Sequence, residues 1–311
     1  MKQFISVNDV DNIDALVKLG LELKANPYKY DTIGKNKTLG LIFFNPSLRT
    51  RLSSQKAALN LGMNVIVMNI NGDGWNIEFE DGTVMDGNTQ EHVKDAVAVI
   101  SNYVDILGVR TFPGLKDRGE DYNEKVMSQF QKYSSVPVIS LESATRHPLQ
   151  SLADLVTIAH SGIKKPKVVA TWAPHPRALP QAVMNSFLEW VTKTDAEVVL
   201  THPKGYELST DFTEGATIEY DQKKAFEGAD FVYAKNWSSY SDYGKILSTD
   251  PSWMIDEEKM NLTNNGKFMH CMPVRRNVIA SDGVLDDSII IEQAGNRTFS
   301  AQAVLKTLLG Q

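Results

Sequence analysis

A basic turn between a predicted strand and a predicted helix carries residue types suited to binding a phosphate group. The apolar strand 39–44 ends at an Asn-Pro pair, and a Ser-Leu-Arg-Thr-Arg turn at 47–51 then opens a helical run over 52–62. First-turn N–H groups lack intrahelical partners, and the helix dipole favours an anion there. Arg49 and Arg51 can add charge-assisted hydrogen bonds to phosphate oxygens. The sequence therefore predicts a phosphate site where this helix begins.

Two further clusters combine polar side chains that could orient a small substrate. One reads His-Pro-Leu-Gln at 147–150, and the other reads His-Cys-Met-Pro at 270–273. Arg110 ends a predicted strand, and Arg297 lies near the start of the last predicted helix. Parallel topology brings strand ends to one edge of a sheet, so these residues are expected to converge. Taken singly, each also has a structural explanation, such as a capping histidine, a small buried cysteine or an arginine in a surface ion pair.

The elements that must position these residues follow an alternating pattern. Apolar strand-like runs alternate with helical patterns through almost the whole chain, which predicts parallel sheets covered on both faces. The predicted strands form two successive sets, namely 39–44, 65–68, 104–109 and 136–139, then 167–171, 197–200 and 231–234. Within the first set, helical patterns cover about 89–101 and about 121–132. The sequence thus predicts an α/β protein with two doubly wound parallel-sheet domains joined by inter-domain helices.

The division between the two domains is predicted near 145–162. Pro148 suits the first turn of a helix that joins them. We expect a first domain over 1–147 and a second domain over 148–292. A C-terminal helix over 293–311 is expected to join the first domain.

Three long loops interrupt the regular pattern. Segment 69–89 contains four glycines with Trp75 in its middle, 171–180 contains three prolines, and 236–251 is polar and aromatic. Loops of this length in compact domains are usually functional or disordered. All three fit the carboxyl ends of parallel strands, where α/β proteins form their sites.

Composition narrows the class of ligand. The 311 residues include 32 basic and 38 acidic side chains, and a formal net charge of −6 argues against a general nucleic-acid binder. A local basic turn on an acidic protein suggests a small anionic substrate instead. The N-terminal residues lack the apolar core of a signal peptide, and no apolar run approaches the ~20 residues that cross a bilayer. Cys271 is the only cysteine, which excludes an intramolecular disulfide, and we expect a cytoplasmic protein without membrane partners.

Three signatures resemble those of the aspartate/ornithine transcarbamylase family, and the resemblance covers essentially the full chain. They are Ser47-Leu48-Arg49-Thr50-Arg51, His147-Pro148-Leu149-Gln150 with Ala153-Asp154, and His270-Cys271-Met272-Pro273. The branch that carbamoylates N-acylated ornithine is the most similar, because segment 234–240 lacks the Ser-Met-Gly loop of ornithine transcarbamylases. The stretch 172–176 and the pair Arg275-Arg276 also look like that branch.

The resemblance implies transfer of the carbamoyl group of carbamoyl phosphate to the δ-amine of an N-acylated ornithine, in arginine biosynthesis. Members of that branch are homotrimers whose active sites are shared between subunits, and they contain a backbone knot. Here the knot would form between 174–181 and 236–256, an exception to the usual absence of knots. The neutral amine attacks the carbonyl carbon directly, so Cys271 is expected to be a polar contact, and neither a metal nor a cofactor is needed.

The same resemblance assigns residues to each substrate. Carbamoyl phosphate is expected to contact Ser47, Leu48, Arg49, Thr50, Arg110, His147, Gln150, Cys271, Met272 and Arg297, with Trp75 supplied by a neighbouring subunit. Among these, the catalytic candidates are Arg110, His147, Gln150 and Cys271. The N-acylornithine is expected to contact Gln90, Glu142, His175, Lys235 and Arg275, with Arg177 and Arg276 as helpers. Arg51 is expected to support the turn by pairing internally.

The identity of the acyl group depends on Gln90. Enzymes of the succinyl type tend to carry Pro at this position and those of the acetyl type Glu, which would repel a second carboxylate. Gln is neutral like Pro but bulkier and polar, so it fits neither pattern. Ile279 is a second indication, since acetyl-type enzymes can carry Lys there. The sequence favours N-succinyl-L-ornithine, with N-acetyl-L-ornithine as the alternative and plain ornithine third.

Other functional classes are less compatible with the sequence. A nicotinamide-dependent oxidoreductase needs Gly-x-Gly-x-x-Gly between a strand and a helix, and the only approach, Gly72-Asp73-Gly74, has Ile at position 77. The Gly-Lys pairs at 34, 244 and 266 are not followed by Ser or Thr, which excludes a Walker P-loop. A non-catalytic paralogue would be expected to have lost members of the matched clusters, and none is missing.

Overall fold

The computed structural model describes residues 1–310, apart from the side chain of Asn71, and divides into two compact units. Unit 1 comprises Met1–Pro113, Gly119–Leu149 and the C-terminal residues from Arg297. Unit 2 comprises Gly114–Arg118 and Gln150–Asn296. Which substrate each predicted domain binds stays a prediction.

Unit 1 is built on a four-stranded sheet whose strands are all parallel. The strands of this unit are β1 (Thr38–Phe43), β2 (Asn64–Asn69), β3 (Ile77–Glu78), β4 (Glu91–His92), β5 (Ile106–Arg110) and β6 (Val138–Glu142). The order β2-β1-β5-β6 extends from β1 in both directions, as in a doubly wound sheet, while β3 and β4 form a separate parallel pair. The register pairs Phe43 with Arg110 and Arg110 with Glu142, so these three strand ends lie side by side.

Helices cover the sheet of unit 1. They are α1 (Ile13–Ala25), α2 (Arg49–Asn60), α3 (Ile70–Asp73), α4 (Val93–Ile100), α5 (Arg118–Tyr122) and α6 (Lys125–Tyr133), with a 3-10 turn at Val7–Asp9. Val97 of α4 and Phe130 of α6 pack with the strand residues Leu107 and Val109 in one buried cluster. Adjacent strands pack closely at Gly108, where an added Cβ would lie 3.0 Å from Leu41 Cδ2 and would force that side chain to shift.

Unit 2 repeats this architecture with a five-stranded parallel sheet. Its strands are β7 (Lys167–Trp172), β8 (Glu197–Thr201), β9 (Thr217–Ile218), β10 (Phe231–Lys235) and β11 (Lys267–Met269). The order β11-β10-β7-β8-β9 again extends outward from the first strand in both directions. The predicted α/β class with parallel sheets is therefore confirmed.

The remaining helices complete the chain. They are α7 (Pro148–His160), α8 (Ala182–Val191), α9 (Thr210–Thr213), α10 (Gln222–Phe226), α11 (Glu257–Met260), α12 (Asp282–Asp286) and α13 (Ile290–Leu309), with a 3-10 turn at Pro251–Trp253. Helix α7 has proline in its first turn, as predicted, because that position needs no N–H donor. Gln311, at the end of the predicted C-terminal helix, lies outside the described residues.

Two elements of unit 1 differ from the sequence prediction. The helix expected over 121–132 is split into α5 and α6, because Glu124 adopts a left-handed conformation with φ 50° and ψ 39°. The loop expected over 69–89 contains α3 and β3. Side chains stabilise these short elements, since the Glu78 carboxylate accepts the N–H groups of Phe79 and Glu80. Such contacts leave no periodic pattern in the sequence.

The end of the 236–251 loop is fixed by a buried lysine in unit 2. Lys259 is 5% exposed, and its ammonium group donates to Gln222 Oε1 at 2.7 Å and to the Met254 carbonyl at 2.6 Å. Gln222 in turn donates to Thr171 Oγ1 at 2.8 Å, near the end of β7. Burial lowers the pKa of Lys259, so the surrounding oxygens are needed to hold its charged form.

His202 makes the stability of unit 2 dependent on pH. Its side chain is 0% exposed, and burial lowers its pKa below the usual 6.5, although a contact with the Pro203 carbonyl opposes this shift. As pH falls through 6.5, the unfolded chain binds a proton that the folded state resists. We therefore expect the free energy of unfolding to fall below that pH, and to fall less in His202→Phe.

Urea unfolding of the wild type and His202→Phe at about pH 7.5 and about pH 5.5 would measure this difference. A pH dependence of the same size in both proteins would show that His202 is not responsible. His160→Phe is the matched control, because that histidine is about half exposed and paired with Glu292.

Candidate active site

The predicted phosphate turn lies where α2 begins, directly after β1. Leu48 occupies the N-cap position, and its apolar side chain makes no capping hydrogen bond to the first-turn N–H groups. Ser47 and Arg49 are half-buried, whereas Leu48 is 65% exposed. Arg51 stacks over the Phe43 ring at 4.8 Å and donates to Asn69 Oδ1, an internal pairing that suits a supporting role.

A buried cluster of charged side chains lies around Thr50 in unit 1. Arg110 Nη1 and Arg297 Nη2 both donate to Thr50 Oγ1, each at 2.9 Å. Thr50 is 2% exposed, Arg110 is 8% exposed and Arg297 is 3% exposed. Because the two guanidinium groups occupy both lone pairs of the hydroxyl oxygen, its hydrogen must point away from them. Thr50 is thereby oriented as a hydrogen-bond donor.

Glu142 and His147 complete this cluster. Glu142 Oε2 lies 3.1 Å from Arg110 Nη1 and 3.4 Å from His147 Nε2, and Arg297 Nη1 lies 3.4 Å from the same imidazole nitrogen. The register of β5 and β6 accounts for the first contact, since it pairs Arg110 with Glu142. Two cations and one carboxylate give the cluster an excess of positive charge. Such a cluster can stabilise an oxygen that becomes negative during a reaction.

The segment between Glu142 and His147 is held by a residue that sequence reasoning did not identify. The Glu124 carboxylate accepts hydrogen bonds from Ser143 Oγ at 2.6 Å, Ala144 N at 3.2 Å, Thr145 N at 2.7 Å and Thr145 Oγ1 at 2.5 Å. These bonds fix the backbone on which both Glu142 and His147 are placed. A glutamate next to helix α6 gives no sequence signal of such a role.

Trp75 and Gln90 lie outside this cluster, on the long loop of unit 1. Trp75 is 53% exposed, and its indole N–H donates to Glu91 Oε2 at 2.8 Å. Gln90 is exposed, and its backbone N–H donates to the Asn76 carbonyl at 3.1 Å. Both side chains therefore lie on the surface of the chain. A contact with a neighbouring subunit, as predicted, requires such a position.

In unit 2, Gln150 is part of a buried network centred on Asp154. Gln150 Nε2 and Gln293 Nε2 donate to the same oxygen, Asp154 Oδ1, at 2.8 Å and 2.7 Å. Gln293 Oε1 accepts the backbone N–H of His270 at 2.8 Å, which links the network to the segment that carries Cys271. Gln150, Asp154 and Gln293 are all at most 1% exposed. The role of Gln293 was missed because nothing in the local sequence distinguishes it.

The 270–273 segment has an uncommon backbone in unit 2. The Met272 N–H donates to His270 Nδ1 at 2.9 Å, and Met272 has a φ of 57° ahead of a cis peptide bond to Pro273. A left-handed conformation at a non-glycine residue is costly and is often retained at functional sites. Cys271 is half-buried.

A second group of positive charges lies around His175 in unit 2. Arg275 Nε donates to His175 Nε2 at 3.1 Å, so the neutral imidazole carries its hydrogen on Nδ1, which donates to the Arg177 carbonyl oxygen at 3.0 Å. Burial lowers the pKa of His175, and the nearby charges of Lys235, Arg275 and Arg177 lower it further. A neutral imidazole that orients Arg275 amid these cations forms a surface suited to carboxylates. The predicted acceptor residues of this unit are thus brought together.

Two other predicted specificity residues have different surroundings. Arg276 forms surface ion pairs with Asp282 at 2.9 Å and Asp286 at 2.8 Å, which already use its guanidinium group. Ile279 is 2% exposed and belongs to the apolar core of unit 2. Its side chain therefore acts in packing.

Residues 2–160 match the profile of the aspartate/ornithine carbamoyltransferase carbamoyl-P binding domain, and residues 180–308 match the Asp/Orn binding domain of the same family. The chain belongs to the aspartate/ornithine carbamoyltransferase family. It is 55% identical over 314 residues to N-succinylornithine carbamoyltransferase of Bacteroides fragilis (strain 638R), covering 99% of each chain. The resemblance to the N-acylornithine branch is therefore confirmed, and the chain is a carbamoyltransferase.

This carbamoyltransferase is also similar to two enzymes named for N-acetylornithine. It is 38% identical to N-acetylornithine carbamoyltransferase of Xanthomonas campestris pv. campestris, covering 100% of this chain and 98% of that one. A crystal structure of N-acetyl-L-ornithine transcarbamylase superposes with a TM-score of 0.93 and 38% identity, covering 99% and 100% of the two chains. In that crystal, one glutamate is replaced by proline and the protein holds carbamyl phosphate and N-succinyl-L-norvaline.

No helix of residues 1–310 is both long and apolar enough to span a membrane. Among the same residues, no group of three or more His, Cys, Asp and Glu side chains is arranged to hold a metal ion.

Proposed function

We propose that this carbamoyltransferase transfers the carbamoyl group of carbamoyl phosphate to the δ-amine of N-succinyl-L-ornithine, giving N-succinyl-L-citrulline and phosphate. The observation that carries the proposal is the 55% identity to N-succinylornithine carbamoyltransferase over 99% of both chains. N-Acetyl-L-ornithine is the alternative acceptor, because relatives that act on it are 38% identical over the full chain.

Phosphate binding is assigned to the start of α2. The first-turn N–H groups and the guanidinium group of Arg49 would hold the phosphate, and Ser47 would add its hydroxyl. Leu48 would contribute its backbone alone, which is compatible with a side chain that is 65% exposed. Bound positive charge also helps phosphate to leave, because it stabilises the anion that departs.

The carbamoyl oxygen is assigned to the cluster around Thr50. Negative charge grows on this oxygen when the amine attacks the carbonyl carbon, and Thr50, Arg110 and His147 would donate to it. One such donor is typically worth roughly 3 kcal/mol in the transition state. The support is the hydrogen-bond pattern: Thr50 is oriented as a donor by two arginines, and Glu142 lies against both Arg110 and His147. We therefore assign Glu142 a part in orienting these donors as well as its expected contact with the acceptor.

The carbamoyl nitrogen is assigned to Gln150, Cys271 and the Met272 carbonyl oxygen. In the reaction the neutral δ-amine forms a C–N bond, the C–O bond to phosphate breaks, and a proton from the attacking nitrogen ends on the phosphate. No step requires a thiolate, so Cys271 serves as a polar contact. Positioning two bound substrates supplies much of the remaining rate enhancement.

The acceptor is assigned to the cationic group around His175. N-Succinyl-L-ornithine carries an α-carboxylate and a second carboxylate on its acyl group, and Lys235, Arg275 and Arg177 offer three positive charges near His175. N-Acetyl-L-ornithine carries only the first carboxylate. The supply of cations therefore favours the dicarboxylate, and Gln90 adds no negative charge that would repel it.

Several wider properties belong to the same proposal. Unit 1 would bind carbamoyl phosphate and unit 2 the N-acylornithine, in a homotrimer with shared active sites that acts in the cytoplasm in arginine biosynthesis. A backbone knot between 174–181 and 236–256 is supported by contacts within unit 2. Leu179 O accepts the N–H and the hydroxyl of Ser238, each at 2.9 Å, and Gln181 Nε2 donates to Ser238 O at 2.8 Å.

The proposal is tested by measuring ureido product formation from carbamoyl phosphate with three acceptors in parallel. They are N-succinyl-L-ornithine, N-acetyl-L-ornithine and L-ornithine. Turnover confined to the succinyl compound would support the proposal, whereas preference for the acetyl compound would establish the alternative. Preference for plain ornithine would overturn the acyl assignment. Absence of turnover with all three would overturn the proposed reaction.

Replacing Glu124 is expected to weaken the catalytic cluster from outside it. Glu124→Ala removes all four hydrogen bonds to the segment before His147, so we expect a loss of about 1–3 kcal/mol in the free energy of unfolding and a roughly tenfold lower kcat. Glu124→Gln can keep the three bonds made to Oε1 and is expected to lie close to the wild type. Urea unfolding and steady-state kinetics would measure both effects. A kcat equally reduced in Glu120→Ala, an exposed acid on α5, would contradict a specific role.

A further inference from the structure

Asp154 determines which end of the Gln150 amide can face a substrate. An ionised carboxylate accepts hydrogen bonds and donates none. Gln150 must therefore turn its NH₂ group towards Asp154, as the 2.8 Å contact from Nε2 to Oδ1 shows. Gln293 also turns its NH₂ group towards Asp154, since its Nε2 donates to the same Oδ1 at 2.7 Å. With its NH₂ group directed at Asp154, Gln150 turns its carbonyl oxygen, Oε1, away from that carboxylate.

The surroundings of Asp154 favour the charged, acceptor form. Two amide donors converge on one oxygen of a side chain that is 0% exposed, and donors to a buried carboxylate stabilise its anion. Tyr233 lies beside Asp154 and Cys271, and burial, reinforced by the charge of Asp154, raises its pKa well above the usual range. Tyr233 therefore stays protonated, so its hydroxyl can act as a further donor beside the Asp154 carboxylate.

The network also fixes the segment that carries Cys271. Gln293 donates to Asp154 with its NH₂ group, so its Oε1 faces the His270 N–H, which donates to it at 2.8 Å. One carboxylate thus sets the polarity of both glutamines. Of the three residues assigned to the carbamoyl nitrogen, Gln150 is held by Asp154 directly, and Cys271 and Met272 directly follow His270, whose N–H is held through Gln293.

We propose that Asp154 is a positioning residue that holds the Gln150 carbonyl oxygen towards the carbamoyl nitrogen, and so makes the site select an acyl phosphate that bears an NH₂ group. The inference rests on the proposed function, because it needs carbamoyl phosphate beside Gln150. Acetyl phosphate has a methyl group in place of the NH₂ group and the same phosphate. It therefore gains nothing from a hydrogen-bond acceptor at this position.

The test is the ratio of the dissociation constants of acetyl phosphate and carbamoyl phosphate, measured by titration calorimetry. The wild type is expected to prefer carbamoyl phosphate. Asp154→Asn, which is isosteric but can also present a donor, is expected to lower that preference by about tenfold, the effect of one hydrogen bond. It should do so by weakening carbamoyl phosphate binding while acetyl phosphate binding changes less than about twofold. Asp287→Asn, an exposed acid of the same unit, is the matched control and should leave the ratio unchanged.

A double-mutant cycle separates positioning from a general structural effect. Gln150→Leu removes the acceptor and should lower the preference as well. If Asp154 acts through Gln150, Asp154→Asn in the Gln150→Leu background should not change the ratio further. Additive effects, or equal weakening of both ligands by Asp154→Asn, would overturn the proposal. If Asp154→Asn does not fold, Gln150→Leu alone decides, because an unchanged ratio in it would also overturn the proposal.

The ratio of the two dissociation constants is measured without an acceptor, so its result does not depend on the acceptor assay. A wild type that prefers carbamoyl phosphate but carbamoylates none of the three acceptors would contradict the proposed reaction and leave this inference standing. A wild type that carbamoylates an acceptor yet binds both phosphates equally would contradict the inference and leave the reaction standing.

Discussion

Arg110→Met is expected to lower kcat for carbamoyl transfer by roughly 10²–10³-fold, the usual effect of removing one donor to a developing oxyanion. Arg110 is 8% exposed and its Nη1 donates to Thr50 at 2.9 Å and pairs with Glu142 at 3.1 Å. The substitution therefore removes a donor, loosens the orientation of the Thr50 hydroxyl and leaves Glu142 with less positive charge nearby. Methionine fills a similar length with an apolar side chain, so the packing against Phe112 is largely retained.

The kinetic signature distinguishes this role from simple binding. A donor that acts mainly in the transition state changes kcat and kcat/KM together, whereas a ground-state contact raises KM for carbamoyl phosphate with little change in kcat. We expect the first pattern. A raised KM with an intact kcat would instead assign Arg110 to substrate binding. Lys94→Met, which removes an exposed cation from α4, is the control and should change neither constant.

The fold could be predicted because both units consist of strands that alternate with helices, a pattern that is visible in short stretches of the sequence. Both buried parallel sheets consist of apolar strand runs separated by helices, and the strand orders that extend outward from β1 and β7 follow from that alternation. A strand is expected directly before His270, where β11 lies, whereas the edge strand β9 is not predicted, since two residues are too few to show a period. Helix α1 was also not assigned, although Asn12 caps it with a contact to the Ala15 N–H that is typical of helix starts.

The candidate site was predictable where a motif carries the chemistry and unpredictable where distant parts of the chain supply it. The turn at Thr50 and the His-Pro-Leu-Gln run are local patterns, and the structure places Thr50 and His147 in one cluster. Arg297 is expected at the site, but nothing in the sequence predicts that it bonds to Thr50, 247 residues away, or that Glu124 holds the Ala144–Thr145 backbone from 20 and 21 residues away. Such pairings depend on tertiary packing, which no single-sequence pattern reports.

The two arguments for the succinyl group differ in strength once the structure is considered. Ile279 is 2% exposed within an apolar cluster, so its side chain packs in the core of unit 2. Gln90 is exposed, on a loop whose backbone is held by Asn76 and whose neighbour Thr89 donates to Glu78. A side chain presented in this way can meet a ligand bound by another subunit. We therefore expect specificity to depend on Gln90 and on the cationic group around His175.

Gln90→Glu is expected to lower kcat/KM for N-succinyl-L-ornithine by roughly 10²-fold and to leave kcat/KM for N-acetyl-L-ornithine within a few-fold of the wild type. The substitution keeps the size of the side chain and adds one negative charge. At about 4 Å and an effective dielectric constant of about 20, two like charges repel by about 4 kcal/mol, and solvent at an exposed loop reduces this to the expected value. Only the succinyl compound carries the second carboxylate that would be repelled.

Asn88→Asp adds the same charge two residues away on the same exposed loop and is the matched control. If Gln90 faces the acyl group, Gln90→Glu should change the succinyl-to-acetyl preference and Asn88→Asp should not. An equal shift in both variants would mean that the loop acts through its overall charge, and an equal loss for both acceptors would mean that it acts in folding or assembly. Gln90→Pro should keep the succinyl preference, because proline adds no charge and leaves more room. The effect of Gln90→Glu should also shrink as salt rises, since screening weakens repulsion between exposed charges.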